Sequence, residues 1–187
     1  MPSPAAPMPT LHTHRLTLQP ARLEDAPHFQ QAFDHWEVVR YLVHHVPWPY
    51  PEGEAQRYLR DNALPAMADG EEWHWSIRLR SAPDTLIGAA CLMDEPDNNR
   101  GFWLTPAWQG QGLMSEVCAA INRFWFIDLA RPVMRVVKAT ANEASCRLSR
   151  REGMRLVRCS KDLFVCGPLQ KQLWEITREE WLAKNGL

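Results

Sequence analysis

The sequence predicts an α+β domain in which a central sheet of about seven strands, mostly antiparallel but mixed, is flanked by helices. Segments with a two-residue apolar period dominate the first half of the chain. A strand–helix–strand unit occupies the second half, from Phe102 to Thr140. No internal repeat, low-complexity interior or long linker divides the chain. A chain of 187 residues suits one such domain with a real core. Residues 10–187 are read as that domain, and residues 1–9, which include Pro2, Pro4, Pro7 and Pro9, as an extended or disordered lead.

Leu11 to Pro20 alternates, with Leu16 and Leu18 on one face, and reads as a strand. Glu24 and Asp25 suit a first helical turn, and Ala26, Phe29, Ala32 and Phe33 form its apolar stripe. A short second helix is expected from Trp36 to Leu42. The loop Pro47-Trp48-Pro49-Tyr50-Pro51 is stiff, because each proline fixes its own φ and biases the residue before it. Helical signals resume from Glu52 through about Ala68 and end near Gly70. Trp73, Trp75, Ile77 and Leu79 alternate strictly, as a half-buried strand does. Ser81-Ala82-Pro83-Asp84 reads as a turn, Leu86 to Leu92 as a more continuously apolar strand, and Asp94 to Asn99 as a polar hairpin loop. Gly101 to Leu104 is the next strand. The helix from Gly112 buries Leu113, Val117, Ala120, Ile121 and Phe124 on one face. After Pro132, Val133 to Thr140 is a β-branched strand. Glu143 to Arg151 is a helix closed by Gly153. Strands near Arg155–Ser160 and Gln172–Thr177 and a final helical segment, Arg178 to Lys184, complete the chain.

Composition narrows the function classes. Hydrophobic content of 45%, charged content of 23% and a formal net charge of -1 describe an ordinary water-soluble chain. That balance gives no long-range attraction for nucleic acid or an anionic membrane. No apolar run approaches the ~20 residues that span a bilayer. The N-terminus lacks the charged start and apolar centre of a secretory signal, so a cytoplasmic location is expected. Five cysteines, with no Cys-x-x-Cys pair, do not suggest a disulfide or metal framework. Cys91 and Cys118 fall on apolar faces as core residues, and a thiol nucleophile would find no histidine beyond His74 in the sequence. His12 and His14, and His44 and His45, lack the His-Glu-x-x-His spacing, and neighbouring strand residues point to opposite sides. No metal is expected; these are surface or substrate-pocket histidines.

The most informative stretch runs from Phe102 to Ser115. An apolar strand stops at Pro106, a loop carries Gly110 and Gly112, and a helical pattern begins at once. Glycines let the backbone curl until several N–H groups point one way, and the helix start adds its own unpaired N–H groups and positive dipole end. The result is a seat for an anion such as a phosphate or pyrophosphate. Gln109-Gly110-Gln111-Gly112-Leu113-Met114 resembles the pyrophosphate-binding Gln/Arg-x-x-Gly-x-Gly/Ala signature of the GNAT N-acetyltransferases, with Met114 where that family puts Gly or Ala. Asn142-Glu143-Ala144-Ser145, continuing to Arg151-Glu152-Gly153-Met154, resembles the Asn-x-x-Ser … Lys-x-Gly-Phe segment of the ribosomal-protein-alanine (Rim-type) branch. Arg150, Arg151 and Met154 depart from its usual Glu, Lys and Phe. Thr13 to Ala21, Glu24-Asp25-Ala26 and Trp48 to Pro51 are also similar to segments of that branch, so the resemblance covers roughly residues 10 to 180.

The resemblance implies the GNAT fold, whose sheet splays in the middle, and transfer of acetyl from acetyl-coenzyme A, a cosubstrate, to a primary amine by direct attack. The acceptor would be a protein N-terminus or a small molecule. Backbone N–H groups of Gln111, Gly112, Met114 and Ser115, in the loop that also holds Gln109 and Gly110, are the diphosphate candidates, with Leu113 pointing into the core. Pantetheine would lie between the Phe102–Leu104 and Val133–Thr140 strands, where unpaired groups of Phe102, Trp103 and Leu104 meet its amides or polarise the thioester. Asn142 matches the asparagine on the coenzyme arm, and Ser145 the serine proposed to protonate the departing thiolate. Ser145 could otherwise be a helix-start residue. Trp36, Trp48 and Tyr50 are candidates to wall the acceptor pocket. Asp94, Glu95, Asp162, Glu175 or a water relay could take the amine proton, and a homodimer is left open.

Two other readings compete. Gly110-x-Gly112-x-x-Ser115 comes close to the fingerprint of a nucleotide-dependent oxidoreductase, but lacks its third glycine, and Glu143 lies beyond the expected ~20 residues. A non-catalytic coenzyme A-binding module would keep the loop without turnover; Asn142 and Ser145 speak against it.

Overall fold

The computed structural model describes residues 8–187, so the lead expected over residues 1–9 lies, up to residue 7, outside the described residues. Among the described residues, eight strands form two antiparallel sheets with helices on both faces. The first sheet runs β1 (Leu11–His12), β2 (Leu16–Pro20), β3 (Glu72–Leu79), β4 (Ala82–Met93), β5 (Arg100–Leu104) in spatial order. The second has β6 (Val133–Ala139) and β7 (Arg155–Phe164) on either side of β8 (Gly167–Thr177). The expected first strand is thus two, broken at Thr13–Arg15, where the Thr13 hydroxyl and backbone close on Leu16. Two further differences lengthen the sheet. Ala82–Asp84 opens β4 instead of turning, and β7 and β8 form a long hairpin.

The two sheets meet at β5 and β6. Asn99 donates its N–H to the Arg135 carbonyl at 2.7 Å, and its Oδ1 accepts from the Arg135 N–H at 2.7 Å. Three residues on, Phe102 of β5 faces Lys138 of β6. Contacts therefore advance in the same sense along both strands, so the pair is parallel and supplies the mixed character of the sheet. Beyond Asn99 no ladder joins them among the described residues. The strands begin together and part, as the splayed fold requires.

The main core fills the space between the sheets and α5 (Leu113–Arg123). Leu113, Val117, Ile121 and Phe124 present the expected stripe, while Ala120 is only half-buried. They pack on Leu16, Leu18, Trp75, Ile77 and Leu92 of the first sheet and Met134, Val136, Trp174 and Ile176 of the second. The helix ends in a π-helical turn, Phe124–Asp128, that buries Trp125 and Phe126. α6 (Glu143–Glu152), closed by Gly153 at φ +84, and α7 (Arg178–Asn185) cover the second sheet. On the opposite face of the first sheet lie α1 (Ala26–Phe33), α2 (Trp36–Val39), α3 (Glu54–Tyr58) and α4 (Leu64–Asp69), the last two joined by a π-helical turn at Leu59–Ala63. α2 is shorter than the Trp36–Leu42 helix expected.

Buried polar contacts fix these layers. At the start of α1, Asp25 accepts from Arg78 Nη2 at 2.6 Å and from Ser76 Oγ at 2.5 Å, which ties the helix to β3. Gln30 of α1 donates to the Pro51 carbonyl at 2.9 Å and accepts from the Ala55 N–H at 3.2 Å, so it clasps the proline loop to α3. Arg100, buried on β5, places both terminal nitrogens 2.8 Å from the Glu152 carboxylate of α6, and Asn122 of α5 completes the group. Burial opposes ionisation of Glu152, but the Arg100 guanidinium outweighs it and holds the carboxyl below the usual range.

Candidate active site

The loop after β5 turns on the two glycines that the sequence analysis singled out. Gly110 and Gly112 adopt φ of +74 and +77, a conformation that side chains beyond glycine resist. Among the described residues the backbone N–H groups of Gly110, Gln111, Gly112, Leu113 and Met114 donate to no backbone or side-chain acceptor with good geometry. These five consecutive N–H groups lead into the eleven-residue helix α5, whose dipole puts its positive end at the same place. Ser115 departs from expectation: its N–H donates to the Gly112 carbonyl at 3.1 Å, which closes the first turn and leaves the hydroxyl as its free group. Leu113 points into the core, as expected. Two glutamines brace the loop, with Gln109 Nε2 on the Leu104 carbonyl at 2.8 Å and Gln111 Nε2 on the Ala107 carbonyl at 2.9 Å. The sequence reading did not single out Arg15, whose Nη2 reaches the Gln111 carbonyl at 3.1 Å and whose Nε meets Glu116 at 2.5 Å.

The cleft between β5 and β6 follows from the ladder. Met93 donates to the Asn99 carbonyl and Thr105 to the Ile87 carbonyl, so Cys91–Gly101 and Ala89–Trp103 are the hydrogen-bonded pairs between them. Phe102 and Leu104, at the alternate positions, turn their backbone groups toward the cleft, although the Leu104 carbonyl is held by Gln109. Trp103 does not do so. Its backbone belongs to β4, and its ring lies edge-on to Phe29 and Phe33, each at 5.3 Å. Of the three predicted cleft residues, Trp103 therefore faces the other side of the sheet.

Asn142 caps α6, its Oδ1 accepting the Ser145 N–H at 3.3 Å. The helix cap is thus Asn142, and the Ser145 side chain has a different partner: its Oγ accepts from Lys138 Nζ at 2.6 Å. Lys138 sits on β6, is 7% exposed, and holds its ammonium 5.0 Å from the Phe102 ring centroid. The sequence offered no signal for this lysine, which occupies one position in a β-branched strand.

On the other face, Trp36 and Trp48 pair at 5.4 Å and are 37% and 38% exposed, so neither is core. Tyr50 packs on Phe33 at 5.0 Å, and Phe33 on Trp103, so an aromatic row leads from the proline loop to β5. Burial, with Glu54 nearby, pushes the Tyr50 hydroxyl up to about 12, so it stays protonated. The Val165 and Cys166 N–H groups of the β7–β8 turn donate to the Leu42 and Arg40 carbonyls, each at 3.1 Å, which frames this face.

The four proposed carboxylate bases do not converge. Asp94 pairs with Arg131 at 2.9 Å, Asp162 with Lys171, and Glu175 with Arg135 and Arg155. Glu95 is exposed. The α3 side of β3 carries a pair not anticipated: His74, beside Tyr58, has its Nε2 2.5 Å from Glu72 Oε2, and it shares a register row with Cys91 and Gly101. Burial pushes the Cys91 and Cys118 thiols up to about 12, which fits core residues and not nucleophiles.

No helix among the described residues is long and apolar enough to cross a membrane, and no cluster of three or more histidine, cysteine or carboxylate groups there could hold a metal. No curated protein matches the chain. Its fold is that of solved acetyltransferases. One is RimL, the ribosomal L7/L12 α-N-protein acetyltransferase, in complex with coenzyme A (TM-score 0.76, 19% identity, 90% of this chain and 98% of that one). Another is an acetyltransferase of the GNAT family from Bacillus anthracis (0.75, 16%, 92% and 100%). A third, from Salmonella typhimurium, modifies the N-terminal serine of ribosomal protein L7/L12 (0.73, 19%, 88% and 96%). Residues 15–155 match the acetyltransferase (GNAT) domain. The chain belongs to that family and is an N-acetyltransferase, which sets aside the oxidoreductase reading.

Proposed function

We propose that this protein transfers acetyl from acetyl-coenzyme A to a primary amine by direct attack of the amine on the thioester. The observation that carries the reading is the run of five N–H donors at Gly110–Met114, at the mouth of the cleft between β5 and β6. Those donors suit a diphosphate; Phe102 and the N–H of Leu104 suit the amides of an extended arm. Asn142 has its amide nitrogen left for the same arm once Oδ1 caps α6. Ser145 stands ready to protonate the thiolate that leaves. An attacking amine must first shed a proton from an ammonium of pKa near ~10. His74, backed by Glu72, is the titratable pair available on the α3 side of β3, with water completing the path.

The likeness to RimL favours a protein N-terminus as the acceptor, entering past Trp36, Trp48 and Tyr50, and a cytoplasmic location belongs to the same reading. The test is to supply acetyl-coenzyme A with peptides bearing free N-termini, polyamines, amino acids and aminoglycosides. Thiol release and acetyl incorporation, read by mass spectrometry, should rise together for one class. Tight coenzyme binding with no thiol release across the panel would instead mark a non-catalytic binding module.

A further inference from the structure

Lys138 is a buried cation without an anion. Among the described residues no carboxylate pairs with it, because Glu152, the nearest acidic neighbour in charge terms, is engaged by both terminal nitrogens of Arg100. An ammonium has three donors. One is spent on Ser145 Oγ at 2.6 Å, and the head faces the Phe102 ring at 5.0 Å. Burying a charge with so little compensation is costly. Phe102 and Lys138 belong to the two strands that part, so this charge lies at the wall of the cleft, where transfer would create an anion.

We propose that Lys138 is a positioning residue that holds the Ser145 hydroxyl toward the departing thiolate and replaces the proton Ser145 gives up. The proposal rests on the acetyl-transfer reading above. Attack by the amine nitrogen forms the C–N bond, and collapse of the adduct breaks the C–S bond with both electrons going to sulfur. The Ser145 O–H passes its proton to sulfur, giving the thiol. Lys138 passes one of its protons to Ser145 Oγ, which restores the hydroxyl and leaves a neutral amine on Lys138. The nitrogen that becomes an amide releases its proton to solvent, and Lys138 regains one from solvent, so the protons balance.

The surroundings of Lys138 support a group that gives up its proton readily. Burial pushes it down to about 8, and Arg100 on β5 pushes the same way. Cys118 on α5 and Glu152 and Cys146 on α6 oppose the shift. Asn122 of α5 and Gln172 and Trp174 of β8, which also face this region, are uncharged. The protonated lysine is the competent form, so kcat should fall as pH rises through about 8.

The test compares wild type, Lys138→Met, Ser145→Ala and the double variant at saturating acetyl-coenzyme A and amine. Each single variant should lose about 10²-fold in kcat, the lower end of general-acid assistance. The double variant should lose no more than either, and coenzyme Kd by calorimetry should move less than about twofold in all of them. The fall in kcat near pH 8 should vanish in Lys138→Met. With p-nitrophenyl acetate as donor, whose leaving group needs no proton, Lys138→Met should match wild type. Unchanged kcat and pH profile in Lys138→Met, or equal losses with both donors, would overturn the proposal. Lack of turnover by wild type would instead overturn the acetyl-transfer reading beneath it.

Discussion

Replacing Lys138 by methionine should stabilise the protein at neutral pH, and the gain should disappear in alkali. Burial holds Lys138 near 8, against 10.5 for an ordinary lysine. Between those values the unfolded chain binds more protons than the folded one, so wild-type stability rises with pH across that window. Below the window the whole penalty of keeping the ammonium buried remains. At about 1.4 kcal/mol per pH unit, the interval amounts to about 3 kcal/mol. Methionine is unbranched and adaptable, so it can occupy the lysine stem's space, but it loses the charge-assisted bond to Ser145, worth about 2 kcal/mol. The net gain at pH 7 is then about 1 kcal/mol, or roughly 3 °C in Tm for a chain of this size. By pH 10.5 the penalty is gone, and wild type should be slightly ahead. Thermal unfolding followed by circular dichroism at both pH values measures this. A variant no more stable than wild type at pH 7, with the same difference at pH 10.5, would refute the desolvated ammonium.

Gly112→Asp places a side chain and a negative charge at φ +77 among the five loop donors, and should raise the acetyl-coenzyme A dissociation constant at least ~10-fold by calorimetry while the circular dichroism spectrum is kept. Trp48→Ala should raise the acceptor KM or change the preferred amine, and leave coenzyme affinity alone. Because Trp48 is 38% exposed, its truncation should also cost well under the ~3–5 kcal/mol typical of a buried tryptophan, which urea unfolding can check. Glu152→Gln leaves the buried Arg100 charge uncompensated and should lower unfolding free energy by about 3–5 kcal/mol, visible as a lower urea midpoint.

The elements that strong periodicity marks are legible in the sequence alone. Trp73 to Leu79 alternates because Trp73, Trp75, Ile77 and Leu79 turn to the main core, although His74, Ser76 and Arg78 on the other face are buried too, so β3 is covered on both faces and not half-buried as expected. Leu113 to Phe124 repeats helically because α5 rests one stripe on the sheets. The loop was legible because glycine is the residue that tolerates φ near +75. Less legible were features set by the partner strand. Whether Trp103 turns its backbone to the cleft depends on the register with β4, and a shift of one residue would reverse the answer. Sequence likewise does not reveal which partners the carboxylates Asp94, Asp162 and Glu175 meet, here Arg131, Lys171 and Arg135. Lys138 stayed hidden for the same reason: one lysine in a strand is ordinarily a solvated edge, and only the packing of α5 and α6 over β6 buries it.

One hydrogen bond couples the two ends of the candidate cleft. Gln109 donates to the Leu104 carbonyl, a group that would otherwise point into the cleft at the last position of β5. That bond fixes the anion-binding loop to the strand whose Phe102 flanks the Lys138 head. On the facing side, the Asn142 cap fixes the first turn of α6, and with it Ser145, to the end of β6. A donor gripped at its phosphate end would therefore meet a reacting end whose surroundings are set by two backbone-anchored contacts. Misplacement by about 1 Å can cost a hundredfold in rate, so this rigidity has catalytic value that no single residue carries. It also explains why glutamine suits position 109: its amide nitrogen reaches back five residues to the strand while the loop glycines keep their N–H groups turned outward.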